Sequence, residues 1–231
     1  MTHNPEVLSS SQLVLAMDQV MQARRTVKVL GDIATIPDIP EGFDRKVQQA
    51  MKVAAWAPFH FTAHPSHLEG GMRSVVPWRF YSLDHANCLQ LTDAIIAHPE
   101  LDLDEESGIV KMLAGCGALV LVTWLPEPDD SERGRGEAHR TMMDEEHLAA
   151  AAAATQNLLL ATKARKINTY WSSGGVLREW ECFELCKIPV QEKLLGAVFM
   201  SPEVTKKVVA RPGHLRDRRG PAHHWMTSVS I

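Results

Sequence analysis

The sequence has no excess of basic charge: 24 lysines and arginines face 28 aspartates and glutamates, a formal net charge of −4. That balance excludes the basic footprint by which a domain holds nucleic acid or an anionic membrane surface. No apolar stretch reaches the roughly 18 residues of a membrane span. The first residues, MTHNPEVLSSSQ, lack the basic start and apolar run of a secretory signal. A soluble, cytoplasmic protein is the expectation. Cysteine is sparse, with Cys88, Cys116, Cys182 and Cys186 scattered and the nearest pair four apart in a helical pattern. This spacing fits neither a zinc ribbon nor a redox C-x-x-C, so buried free thiols in a reducing compartment are expected. Also missing are the G-x-S-x-G elbow, the phosphate loop and a dinucleotide glycine fingerprint after a strand. Covalent nucleophile chemistry has no anchor, and no catalytic side chain is assigned.

What is present is 45% hydrophobic residues in a chain of 231, enough for one core and a single domain over 1–231. SSSQLVLAMDQVMQARR has serines before an apolar-periodic run and predicts a capped helix stopping near Arg24. TVKVL follows as an extended piece. Phe43, Val47, Ala50, Met51, Ala54 and Ala55 fall at helical spacing and predict a core-facing stripe, ended by Pro58. VVPWRFYSL reads as a strand and DHANCLQLTDAIIAHP as a helix. CGALVLVTWLP is continuously apolar, the mark of a strand buried on both faces at the centre of a sheet. LPEPDDSERGRGE is a surface loop. A long helix is predicted from about Met142 to Lys166, acidic at its start, basic at its end, with alanines at 149–154 that admit another backbone closely. VLREWECFELCKIP reads as helical and EKLLGAVFMSP as a strand. The basic tail ends in WMTSVSI, which alternates like a strand and has nothing of its own to bury against. It is expected to pair with a sheet edge or to cross onto another subunit.

Three constellations carry possible chemistry. In RRTVK the side chains of Arg24, Thr26 and Lys28 point the same way if the segment is extended, presenting a guanidinium, a hydroxyl and an ammonium with Arg25 beside them. That surface suits a phosphate and a polar ring, or is simply a solvated basic helix end. Ser172, Ser173, Gly174 and Gly175 lie between an apolar strand and a helix, where glycines admit a flat ligand, or make an ordinary turn. His60, His64 and His67 have a spacing that one helical face would gather, but Pro65 among them argues against a regular helix. No cysteine lies nearby and no clear carboxylate partner completes a metal set.

Taken in order, these pieces resemble the FMN-dependent nitroreductase family. RRTVK stands for its basic N-terminal element. AAWAP and VPWRF stand for its A-x-x-A-P-S and N-x-Q-P-W-x-F elements. The alanine-rich helix ending QNLLLAT, then NTYWSSGG, CKIPVQEKLLGAVFMSP and the basic tail complete the series, over roughly residues 18 to 220. The resemblance implies an α+β fold, a mixed, mostly antiparallel sheet surrounded by helices, assembled as an intertwined homodimer. The tail from about 203 to 231 would pack on the partner subunit. It further implies FMN as cofactor, NADH or NADPH as reductant, and a planar aromatic or quinone-type substrate. Carried residue by residue, Arg24, Arg25 and Thr26 match phosphate or ribityl contacts, and Lys28 the cation near the flavin N1/C2=O edge. Pro58, Phe59 and Ser74 match pocket positions, Ser173, Gly174 and Gly175 the chain beside the ring. Arg211 matches a second phosphate ligand, with Lys206 and Lys207 as rivals.

The departures are Phe59 where a serine is usual, and Ser74 and Val76 where asparagine and glutamine are usual. Between them lies an insert whose His60, His64 and His67 are expected to shape the substrate pocket. The alternative is a non-enzymatic protein of the same fold that binds a metal, haem or another planar ligand through that insert.

Overall fold

In the computed structural model, described for residues 8–35, 37–68, 73–128, 137–203 and 206–230, the apolar run at the middle of the chain organises everything else. It forms β3 (Ala118–Trp124), whose residues are buried along almost its whole length. β3 is flanked by β2 (Trp78–Asp84) and β5 (Lys193–Pro202), and β4 (Ile167–Ser172) lies outside β5. The order β2-β3-β5-β4 is antiparallel throughout. Because side chains alternate across a strand, Leu119 and Leu121 face one core while Ala118, Val120 and Val122 face the other.

The first core is closed by α3 (His85–Ala97), α4 (Gly108–Gly115) and α6 (Trp180–Leu185), through residues such as Ile95, Leu113 and Phe183. The second is closed by α2 (Phe43–Ala54) and α5 (Glu137–Ala164). The α2 stripe buries Phe43, Val47, Ala50 and Ala54, as its spacing predicts, while Met51 is half-buried and Ala55, just past the helix end, is exposed. α5 begins before the expected Met142 and meets α2 and all four strands. Its Ala150, Ala151 and Ala154 take up Ala57 and Trp78 of the same chain. Small side chains there let the segment after α2 approach the helix.

Two elements differ from expectation. α4 lies in a stretch not read as a helix. The C-terminal strand is β6 (Val209–Pro212), and residues 225–230 form none. β6 pairs antiparallel with β1 (Val27–Leu30) of its own chain, Lys28 opposite Arg211 and Val27 opposite Pro212. All four β6 residues are exposed, so the strand lacks the buried alternation by which a sequence announces one. A parallel bridge from Thr26 to Thr169 docks β1 along β4, which makes the whole arrangement mixed but mostly antiparallel. α1 (Ser10–Ala23) is capped by a reciprocal Ser9–Gln12 box yet buries no residue. Leu13, Val14, Leu15, Met17 and Met21 stay about half exposed or more. Among the described residues no helix is long and apolar enough to cross a membrane. Most of the loop expected at 125–137, and Gly70 and Gly71 of the insert, lie outside the described residues.

The four thiols are free, with Cys88, Cys116 and Cys182 buried. The Cys116 sulfur lies 3.7 Å from that of Cys88. Burial pushes the Cys182 thiol up to about 12, helped by Cys186 and Glu181, and Cys186 up to about 11. A thiol must be reached and deprotonated to react, so the buried Cys88, Cys116 and Cys182 should resist a disulfide reagent at pH 8 and react only on denaturation; a rapid native titre of two or more would contradict the packing. Between pH 9 and 12 the unfolded chain releases thiol protons that the folded chain keeps, so stability should fall as pH rises through that window.

Candidate functional site

The candidate residues fall into two groups, at opposite edges of the sheet. The first lies along β4, where β1 docks. Arg24 caps α1 in an extended conformation, with φ −62° and ψ 124°. Its carbonyl accepts from Arg216 Nη1 at 2.9 Å, and Arg216 Nη2 donates to the Gln22 carbonyl at 2.8 Å, which ties the tail to the end of α1. Burial, and then the neighbouring charges of Arg216 and Arg219, lower the Arg24 pKa from the usual guanidinium value. Among the described residues no carboxylate pairs with Arg24.

Arg25 is engaged by the tail, donating to the Gly213 carbonyl at 3.1 Å and to Asp217 Oδ2 at 3.0 Å. Thr26 accepts from the Gly213 N–H at 2.8 Å. Lys28 holds its ammonium 5.7 Å from the Tyr170 ring centroid on β4, an attractive position for a cation, and faces Arg211 across the ribbon. The fold brings Arg24, Thr26, Lys28 and Arg211 to one edge, as their sequence grouping expected, and adds Arg216 and Arg219, whose only signal was a run of basic residues in the tail.

The loop at 173–175 leaves β4 on this same edge. Gly174 is buried at φ +111°, and a Cβ there would meet Leu194 Cδ2 at 2.6 Å, so only glycine fits. Gly175 also has a positive φ, of 57°. The loop is held by Arg178, which donates to the carbonyls of Ser173 at 2.5 Å, Leu194 at 2.7 Å and Leu195 at 3.1 Å. One guanidinium therefore fastens the exit of β4 to the start of β5. Arg178→Ala should lower stability by about 1–2 kcal/mol in urea unfolding, given a typical hydrogen bond's net worth, and Arg178→Lys should recover only part of it. An unchanged midpoint for the alanine variant would remove the latch from the account.

The second group sits at the start of β2, three strand spacings or about 14 Å from β4. Phe59 packs edge-on against Trp78 with centroids 5.7 Å apart, and Pro58 beside it is exposed. The carbonyls of Ser74, Val76 and Trp78 are gathered by the buried Arg79 guanidinium at 3.1, 2.6 and 2.8 Å. The three histidines go to separate partners. His60 Nδ1 lies 3.1 Å from Glu146 of α5, His64 Nδ1 2.8 Å from Ser66 Oγ, and His67 Nε2 donates to the Pro126 carbonyl at 2.8 Å. Pro65 begins a single 3-10 turn rather than an α-helix. Among the described residues no three His, Cys, Asp or Glu side chains converge as a metal site would require. The insert is thus pinned to α5 and to the loop after β3 by two of its histidines.

No protein-family model matches the sequence, and no curated protein matches it either. Solved structures do match. A nitroreductase-like family protein from Bacillus cereus superposes with a TM-score of 0.64 at 19% identity, covering 93% of this chain and 96% of that one. The nitroreductase CinD from Lactococcus lactis, in complex with nicotinic acid, gives 0.56 at 14% identity over 82% of this chain and 88% of that one. A nitroreductase with bound FMN from Bacteroides fragilis gives 0.51 at 18% identity over 81% and 88%. With its antiparallel sheet between two helical layers, this chain has the nitroreductase-like fold.

Proposed function

We propose that the protein is an FMN-dependent oxidoreductase that passes a hydride from NADH or NADPH to a planar, electron-poor acceptor of nitroaromatic or quinone type. The observation that carries this reading is the row of cations along the β4 edge. Arg24 is crowded by Arg216 and Arg219, and Lys28 faces Arg211; among the described residues these side chains have no carboxylate partner other than Asp217, which approaches Arg216 at 3.9 Å. Like charges held this close raise the free energy of the folded chain unless an anion joins them. A phosphate monoester has the charge and the acceptor oxygens to do so.

The same edge fits the rest of the cofactor. Arg24, with Arg216 and Arg219, would hold the phosphate, and Thr26 the neighbouring polyol. Lys28 lies one strand turn further along, where a fixed cation favours a ring edge that gains negative charge on reduction. At Gly175 a Cβ would meet nothing, so the loop leaves open space there against which a flat ring can lie. FMN, when bound, supplies the hydride chemistry, and the protein's part is position, charge and exclusion of water.

Homodimer formation belongs to this proposal. The uncovered apolar side chains of α1 ask for a partner surface, and Pro58, Phe59, Ser74 and the histidine insert stand at the far edge of the sheet from the basic row. In a two-fold dimer one chain's β4 edge can meet its partner's insert, with His60, His64 and His67 walling the acceptor pocket. The test is anaerobic: the FMN-loaded protein is mixed with NADPH or NADH, and then with a nitroaromatic or a quinone. Bleaching of the flavin bands followed by their return supports the proposal. Flavin that stays oxidised with both nucleotides overturns it.

A further inference from the structure

We propose that a cleft at the Trp124 end of the sheet binds an aryl carboxylate, a flat aromatic body bearing one negative charge. The cleft holds about 450 Å³, within the range of small-molecule sites. Its walls are Trp124, Phe183 and the outward Trp180 and Val190, which are 61% and 76% exposed. Exposed indole beside exposed valine gives an aromatic ring a surface to stack on.

The charge of the cleft selects the ligand's sign. At its floor the buried Glu192 carboxylate accepts from the hydroxyls of Tyr81 and Thr123, and it stands in the field of the buried Arg79 guanidinium. Those inner charges balance one another. At the mouth stand Arg178 and Lys193, neither with a carboxylate partner among the described residues. Arg178 uses three of its five N–H groups on carbonyls, which leaves two for a ligand. The Lys193 ammonium rests 5.2 Å from the Trp124 ring centroid, already over the aromatic wall. A single carboxylate can accept from both cations while its ring lies against Trp180. An ammonium ligand would meet two like charges, and a neutral one would leave both cations unanswered.

The cleft neighbours the 173–175 loop through Arg178, but it includes none of the basic residues of the β4 edge. Its ligand is therefore expected to bind whether or not FMN is held there.

The test uses benzoate, benzyl alcohol and benzylamine as probes of one shape and three charges, followed through the indole N–H signals in NMR. Trp180→Phe assigns one signal, and Lys193→Met, at an exposed position, removes one cation. Benzoate should shift the Trp124 and Trp180 signals and bind at least about tenfold more tightly than either other probe. Lys193→Met should weaken benzoate about tenfold, the scale of one charge-assisted hydrogen bond, and saturating FMN should leave benzoate binding intact. Equal binding of all three probes, an unaffected Lys193→Met variant, or loss of benzoate binding in the presence of FMN would each overturn the assignment.

Discussion

Replacing Arg24 with glutamine is expected to weaken FMN binding by about 10- to 100-fold without lowering the thermal unfolding midpoint. The binding loss is that of a charge-assisted hydrogen bond to phosphate, about 1.5–3 kcal/mol, and each 1.4 kcal/mol is tenfold. The stability change has the opposite sign. Arg24 is partly desolvated and faces Arg216 and Arg219, both of which disfavour its charged form in the free protein. A neutral side chain relieves that repulsion, so the apo protein should be as stable or more so. Fluorescence titration with FMN reads the first effect and a thermal melt without flavin the second. A variant that keeps full affinity would remove Arg24 from the site, and one that unfolds earlier would make it a structural arginine.

Gly196→Ala should be the most destabilising single methyl group in the sheet, by about 1–3 kcal/mol or more on the scale of overpacked cores. Gly196 lies on β5 opposite Val122, beside the irregularity where the β3–β5 register shifts. A Cβ placed there would run into the Trp171 indole Nε1 and come within 2.6 Å of the Ser172 carbonyl oxygen. An indole can rotate away, but the carbonyl belongs to backbone, so β4 itself must move. Since β4 delivers Ser173 and Gly175 to the proposed ring contact, FMN affinity should fall along with the urea midpoint. A variant with unchanged midpoint would mean that β4 and β5 are less closely apposed than the structure has them.

The elements that patterns can encode were legible in the sequence. The apolar run of β3 announced a strand buried on both faces, and it lies between β2 and β5. The α2 stripe and the length of α5 were readable because a helix repeats its contacts every three or four residues. α4 was hidden by its context: Gly108–Gly115 begins and ends with glycine, and its two turns follow an acidic loop. Its closing glycine exists for a contact far away in sequence, since Gly115 and Gly31 approach so closely that a Cβ on either would meet the other's backbone. β6 was hidden because its partner is β1, about 180 residues earlier, and because neither face of it is buried. The tail was read as basic, but not that Arg216 would reach back to the end of α1. The pairing of Glu192 with Tyr81 and Thr123 was equally invisible: these side chains are separated by tens of residues and join only once the register of β2, β3 and β5 is set. Local chemistry was therefore readable at Arg24, Lys28 and the 173–175 loop, and the long-range company of those residues was not.

Whether the cation row beside β4 holds a phosphate-bearing flavin is decided by a paired titration of the unmodified protein. FMN and riboflavin carry the same ring and differ in the phosphate that Arg24, Arg216 and Arg219 would hold. One FMN should bind per chain, with flavin fluorescence and absorbance changing on binding, and riboflavin should bind at least about a hundredfold more weakly, as two or more charge-assisted contacts require. Equal affinity for the two flavins, or no binding of FMN at all, would contradict it.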